Sequence, residues 1–169
     1  MTEVRLLTDG ERPAIRLERH LPDPPDVVWR ALTEPDQLRA WFPSDVILRG
    51  GSWKVGTPIT FPFRSEVLDL TLTGEVLEVD EPSVLALTWG DDRLRFELSP
   101  EVGGTRLVLI DELPPDAAAR NAAGWEQCLE RLAGIEPDEW EPRFERYAAT
   151  FEPALGRQAP RPTHLKGEP

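Results

Sequence analysis

Few side chains in this sequence combine the type and the spacing that chemistry requires. Arg19 shares the strand parity of Ile15, Leu17 and Leu21, and Asp111 shares that of Leu107 and Leu109, so both charged groups are expected to point inward. An inward guanidinium or carboxylate needs a partner, which makes each a candidate for orienting a polar group of a ligand. The 31 Asp and Glu residues offer no spacing that selects an acid and base pair. His20 falls on the polar parity of its strand and His164 in a Pro-rich stretch, so both are expected on the surface. Cys128 stands between Gly124 and Leu132 at helical spacing, with no histidine near it in sequence, and reads as a small buried hydrophobe. Asp91 and Asp92 follow Gly90 between two strand patterns and read as a turn, far short of a calcium loop. These residues indicate no catalytic set, no metal site and no cofactor.

The elements that must position them are legible from periodicity. AIRLERHL (14–21) alternates as a half-buried strand, and PDPPDVVWRALT and EPDQLRAWF follow as two short helices with prolines at their first turns. From Asp45 to Asp111 the pattern is of strands separated by turn residues, with hairpins at Gly90-Asp91-Asp92 and at Glu101–Gly104. Leu70 and Leu72 lie on one parity and Leu77 and Val79 on the other, so a bulge or sharp coil is expected near Gly74. Between Asp116 and Ala133, the residues Ala118, Ala122, Trp125, Leu129 and Leu132 step by four and three and form one face of a helix. Gly124 sits beside that face. A glycine inside a helix costs about 1 kcal/mol relative to alanine, and a close backbone approach by the sheet is the expected reason for it. After Gly134, a C-cap candidate, a further helix is expected to begin at Pro142 with Glu141 as its cap, carrying Trp140, Phe144, Tyr147 and Phe151 on one side.

Residues 1–12 read as a polar lead-in, 13–151 as one domain, and 152–169 as a Pro-rich disordered tail. With 19 Lys and Arg against 31 Asp and Glu, the net charge of -12 repels a phosphate backbone and argues against a nucleic-acid partner. No run approaches the roughly 20 apolar residues that span a bilayer, and the N-terminus lacks the apolar core of a secretory signal, so membrane insertion is not expected and a cytoplasmic location is. A single cysteine permits no internal disulfide.

A strand, two short helices, a run of antiparallel strands and then an amphipathic helix indicate an α+β fold with helices on one face of the sheet. The segments IRLERHLPDPPDVVWRALTEPDQLRAWF, GEVLEVDEPSVLALTW, GGTRLVLIDELP and AAGWEQCLERLAG, in that order, resemble proteins similar to the activator of the heat-shock-protein-90 ATPase, a branch of the START-like, or SRPBCC, superfamily. The resemblance implies a helix-grip fold, as in the birch-pollen-allergen-like proteins. About seven antiparallel strands would curl around the helix bearing Gly124 and Trp125, with two short helices between the first and second strands and a hydrophobic cavity between sheet and helix. It further implies that Trp41, Phe42, Phe61, Phe63, Leu87 and Trp89 line this cavity, together with Phe96, Leu98, Leu109, Trp125 and Leu129. It makes the first and last strands neighbours, so that Arg19 would pair with Asp111 or Glu112. The function this favours is binding of a small hydrophobic or aromatic molecule without defined catalysis. Two other functions stay open: a co-chaperone-like activator of a chaperone ATPase, and a cyclase-like or hydrolase-like enzyme working in the same cavity. The stripe Trp140, Phe144, Tyr147 and Phe151 either packs on its own domain or serves a homodimer or protein partner.

Overall fold

The alternation of β2 (Ala14–Leu21) is realised as a strand with a dry face, on which Ile15, Leu17 and Leu21 are buried, and a wetter face carrying Arg16, Glu18 and His20. The computed structural model describes residues 1–63 and 70–161. The other strands are β1 (Glu3–Leu7), β3 (Ile47–Leu48), β4 (Pro58–Pro62), β5 (Thr71–Asp80), β6 (Val84–Trp89), β7 (Asp92–Glu101) and β8 (Gly104–Glu112). All eight pair antiparallel in the order β1-β2-β8-β7-β6-β5-β4-β3, forming one curved sheet. The first seven residues are thus more than a lead-in. Leu6 and Val4 pair with Ile15 and Leu17 and pack against the core, so β1 is an added edge strand.

The parity switch in β5 is a register shift between Val76 and Glu78 against β6. Gly74 is required beside it, because a Cβ there would lie 1.9 Å from the Thr88 carbonyl oxygen. Outward, the sheet carries charge pairs such as Arg95 with Glu78, 2.5 Å apart. Inward, Leu94, Phe96 and Leu98 of β7 and Leu107 and Leu109 of β8 meet the helices in one core.

Between β2 and β3 run α1 (Pro25–Thr33) and α2 (Pro35–Leu38). Two indoles tie this corner down: Trp41 Nε1 donates to the Ala31 carbonyl and Trp53 Nε1 to that of Thr33, each at 2.9 Å. After a 3-10 turn (Pro115–Ala117), α3 (Ala118–Leu132) lays Ala118, Ala119, Ala122, Trp125, Cys128 and Leu129 into the core. The chain leaves α3 at Gly134, whose φ of 78° only glycine adopts readily.

The last helix, α4 (Trp140–Leu155), begins earlier than Pro142 suggests. Its N-cap is Glu139 rather than Glu141, and Pro142 sits in the first turn, where its missing N–H is not needed. The aromatic stripe turns inward: Phe151 is buried, and Phe144 and Tyr147 pack against the core. Trp140 stacks on Phe144 and Tyr147 on Phe151, at 5.0 and 5.6 Å between ring centroids. Arg143 fastens α4 to α3 through Glu126 and Glu130, each at 2.7 Å, and also pairs with Asp138.

The tail expected from residue 152 is also docked for ten residues. The α4 helix continues to Leu155, and Gln158 is buried, its Oε1 accepting the backbone N–H of Ala119 at 2.9 Å and its Nε2 donating to the Pro115 carbonyl at 2.9 Å. Gln158 therefore supplies the cap that the N-terminus of α3 lacks within its own sequence. Among the described residues no helix is long and apolar enough to cross a membrane.

Candidate functional site

Where the β6–β7 turn, the start of β5 and the N-terminal half of α3 face one another, the helix stands off the sheet and leaves a cavity of about 770 Å3. Three of the aromatic residues expected at a cavity line it: Phe63, Trp89 and Trp125. Their rings form a continuous wall, with centroids 5.9 Å apart from Phe63 to Trp89 and 5.4 Å from Trp89 to Trp125. Trp140 of α4 closes one side, the end that a helix stopping at Gly134 leaves open.

The remaining expected residues lie elsewhere. Trp41, Phe42, Phe61, Leu87 and Phe96 surround a void of about 10 Å3, barely the room one water needs, and so build the core next to the cavity. Leu98, Leu109 and Leu129 are buried and line neither space. Arg19 does turn inward and is buried, yet it does not reach Asp111. In the β2–β8 register Ile15 faces Asp111 and Arg19 faces Leu107, four residues further along the ladder and about 13 Å away. The Arg19 guanidinium donates instead to Thr2 Oγ1 at 2.9 Å, so it belongs to the attachment of the N-terminal segment.

Gly124 lines the cavity, and a Cβ added to it would meet nothing within 4 Å. None of the described residues makes the close backbone approach expected there. The glycine removes a side chain from the cavity wall, and the space beside Trp125 stays open.

The polar end of the cavity was not legible as a set. Asp92 begins β7, is buried to 8 % exposure and lines the cavity; Asp111 of β8 lies behind it at 0 % exposure. Asn121 Nδ2 bridges the two acids, donating to Asp92 Oδ2 at 2.9 Å and to Asp111 Oδ2 at 3.1 Å. Trp125 Nε1 donates to the same Asp111 oxygen at 2.9 Å, while Asp111 Oδ1 is buried with no donor among the described residues. Burial first, and then the neighbouring Asp92 charge, push the Asp111 carboxyl well above the ordinary range, against the hydrogen bonds from Trp125 and Asn121. Burial also raises Asp92, opposed by its hydrogen bond with Asp111 and by the charges of Arg12 and Arg120. The arrangement is that of two carboxyl groups sharing a proton, held mainly on Asp111, because two like charges in a desolvated site cannot both ionise cheaply.

Asp91, Asp116 and Arg120 complete the charged lining. Arg120 donates to the Ala159 carbonyl at 3.2 Å, in the docked segment after α4. The indole N–H of Trp89 is buried without an acceptor among the described residues. Cys128 borders the cavity, but burial pushes its thiol up to about 12, which leaves it protonated and unreactive at neutral pH. His20 lies on the outer face beside Glu101, and His164 lies outside the described residues. No group of three or more His, Cys, Asp or Glu among the described residues is arranged to hold a metal.

A curved antiparallel sheet gripping a long helix, with two short helices after the first strand of the grip and a cavity under the helix, defines a helix-grip protein of the START-like class. The family described as "Activator of Hsp90 ATPase homolog 1-like protein" matches residues 23–135, and the chain belongs to that family. Among solved structures, the chain is similar to CalU16 from Micromonospora echinospora, at 24% identity over 90% of this chain and 99% of that one, with a TM-score of 0.71. It is similar to a conserved protein of unknown function, EF2215 from Enterococcus faecalis, at 21% identity over 89% and 91%, with a TM-score of 0.73. It is also similar to the BPP1335 product of Bordetella parapertussis, at 26% identity over 88% and 90%, with a TM-score of 0.64. No curated protein matches the chain.

Proposed function

We propose that this protein binds a small hydrophobic or aromatic molecule between α3 and the sheet. The observation that carries the reading is a cavity of about 770 Å3 walled by Phe63, Trp89 and Trp125, within the 300–1,000 Å3 typical of small-molecule sites. Stacking and apolar burial supply affinity, and a few polar groups at one end supply orientation. The fold family supports the same reading, since its members build on a fold suited to hydrophobic ligands. A titration with the neutral fluorescent probe N-phenyl-1-naphthylamine tests it. The expected result is saturable binding with probe emission rising as Trp89 and Trp125 are quenched, and loss of that binding in Gly124→Leu, whose side chain enters the cavity. Saturable binding that Gly124→Leu leaves intact would place the probe elsewhere and remove the reading.

A second reading, acid and base catalysis in the same cavity, is favoured by one observation: the buried carboxyl groups of Asp92 and Asp111, bridged by Asn121 at the cavity wall. It ranks below binding because the aromatic walls of the cavity support binding directly, whereas the acid pair has no third group among the described residues to work with. A role as activator of a chaperone ATPase, the activity named in the family description, would need a docking face. The aromatic stripe of α4 that was the candidate for one is used inside the fold.

A further inference from the structure

We infer that the molecule held in this cavity carries a protonated amine, which docks on Asp92 beside the ring faces of Trp89 and Trp125. The inference rests on the binding reading and narrows it to a chemical class. Three observations support it. First, Asp92 is more than nine-tenths buried, lines the cavity, and among the described residues accepts a hydrogen bond from one side-chain donor, Asn121. A carboxylate has about four acceptor sites. Apart from the carboxyl of Asp111, none of the described residues fills the rest, so a ligand donor completes the site.

Second, the charges facing this point favour a cation. Among the described residues, Asp91 and Asp92 from the β6–β7 turn and Asp116 from the approach to α3 line the cavity, against Arg120 alone. Arg120 is turned to the Ala159 carbonyl, and of the neighbouring acids Asp116 supports its charge most, ahead of Asp92 and Asp111. Arg12, from the segment before β2, is tied to the Asp91 carbonyl at 2.8 Å. The protein as a whole carries -12, which lowers the local concentration of anions and raises that of cations. Third, Trp89 and Trp125, with centroids 5.4 Å apart, line the same cavity as Asp92, so a carboxylate and electron-rich aromatic rings share one wall. An ammonium group gains from both at once.

The shared proton gives the inference a signature. A cation arriving at Asp92 makes a second negative charge tolerable, so the Asp111 carboxyl releases its proton to solvent and the ammonium takes over the neutralising role. Asp92 then meets the ligand directly, with the ionised Asp111 behind it. Amine affinity therefore falls as pH drops and the pair holds its proton more tightly, while a neutral analogue is indifferent to pH.

Three probes of one shape test this: 1-naphthylmethylamine, 1-naphthylmethanol and 1-naphthoate, titrated by calorimetry from pH 5 to 8 in two buffers of different ionisation enthalpy. The expected result is at least tenfold tighter binding of the amine than of the alcohol at pH 8, weaker binding of the acid, and release of up to one proton with the amine only. In Asp92→Asn the ratio of amine to alcohol affinity falls below about three. Proton release is read on the unmodified protein, so the test stands even if that variant fails to fold. Equal or tighter binding of the alcohol or the naphthoate overturns the amine inference and leaves the binding reading standing. An amine preference undiminished in folded Asp92→Asn, or absence of proton release, overturns it as well. Failure of all three probes to bind sinks both.

Discussion

Replacing Gly124 with alanine distinguishes a glycine that admits a neighbour from one that keeps a space open, because the two demand opposite signs. If the sheet pressed on the helix at this point, a new methyl would clash and the protein would lose stability. In the structure the added Cβ has no atom within 4 Å and projects into a cavity of about 770 Å3. The intrinsic preference of a helix interior for alanine over glycine, about 1 kcal/mol, then appears almost undiminished as added stability. For a chain of 169 residues this corresponds to a rise of about 2–4 °C in Tm. Urea unfolding followed by far-UV circular dichroism, with a thermal melt beside it, measures the change. A Tm lowered by Gly124→Ala would refute the assignment of this glycine to the cavity wall. The same position offers a graded series, since Gly124→Leu should keep the fold and displace the ligand.

The shared proton gives a pH dependence of definite sign. Asp111 has a native pKa above its unfolded value, so the stability it contributes is complete below about pH 3.9 and is lost as pH rises through the native value, at up to about 1.4 kcal/mol per unit. Asp111→Asn, neutral at every pH, should flatten that slope and be more stable than the parent at pH 8 by urea unfolding; a slope unchanged by the substitution would exclude the shared proton. Arg143→Met leaves Glu126 and Glu130 without their buried partner and should cost about 2–4 kcal/mol by denaturant unfolding, the lower end reflecting the hydration those carboxylates retain. Gln158→Ala removes the cap on the Ala119 amide and should cost about 1–2 kcal/mol, with faster hydrogen exchange at Ala119 while the sheet amides stay protected.

Periodicity carried the fold because the hydrophobic alternation of β2, β7 and β8 and the four-three spacing of α3 each survive into a buried face. The parity switch near Gly74 likewise became a bulge, and its glycine a true close contact. What escaped were features whose cause lies in another part of the chain. The β1 strand is stabilised mainly by its pairing with β2, which its five-residue sequence EVRLL is too short to announce. Gln158 is buried because α3 needs a cap 39 residues away. Parity told which face Arg19 and Asp111 occupy and was silent on register, which sets them four pairs apart.

The acid pair shows the same limit from the other side. Asp92 shares the inward parity of Leu94, Phe96 and Leu98, a signal present in the sequence, but its place after Gly90-Asp91 made turn chemistry the stronger reading. Asn121 lies one helical turn before Trp125 on the same face, and only the strands opposite show that both address Asp111. The glycine at 124 is ambiguous in principle: a missing side chain signals either a close neighbour or an empty space, and sequence alone cannot tell the two apart.

The central claim is that the space beneath α3 is a binding site, and the indole N–H resonances of the protein test it most directly. In a 15N-labelled sample titrated with 1-naphthylmethylamine, the account predicts saturable shifts at Trp89 and Trp125, which wall the cavity, and little change at Trp29, which is buried in α1. Saturable shifts that spare Trp89 and Trp125 would contradict it.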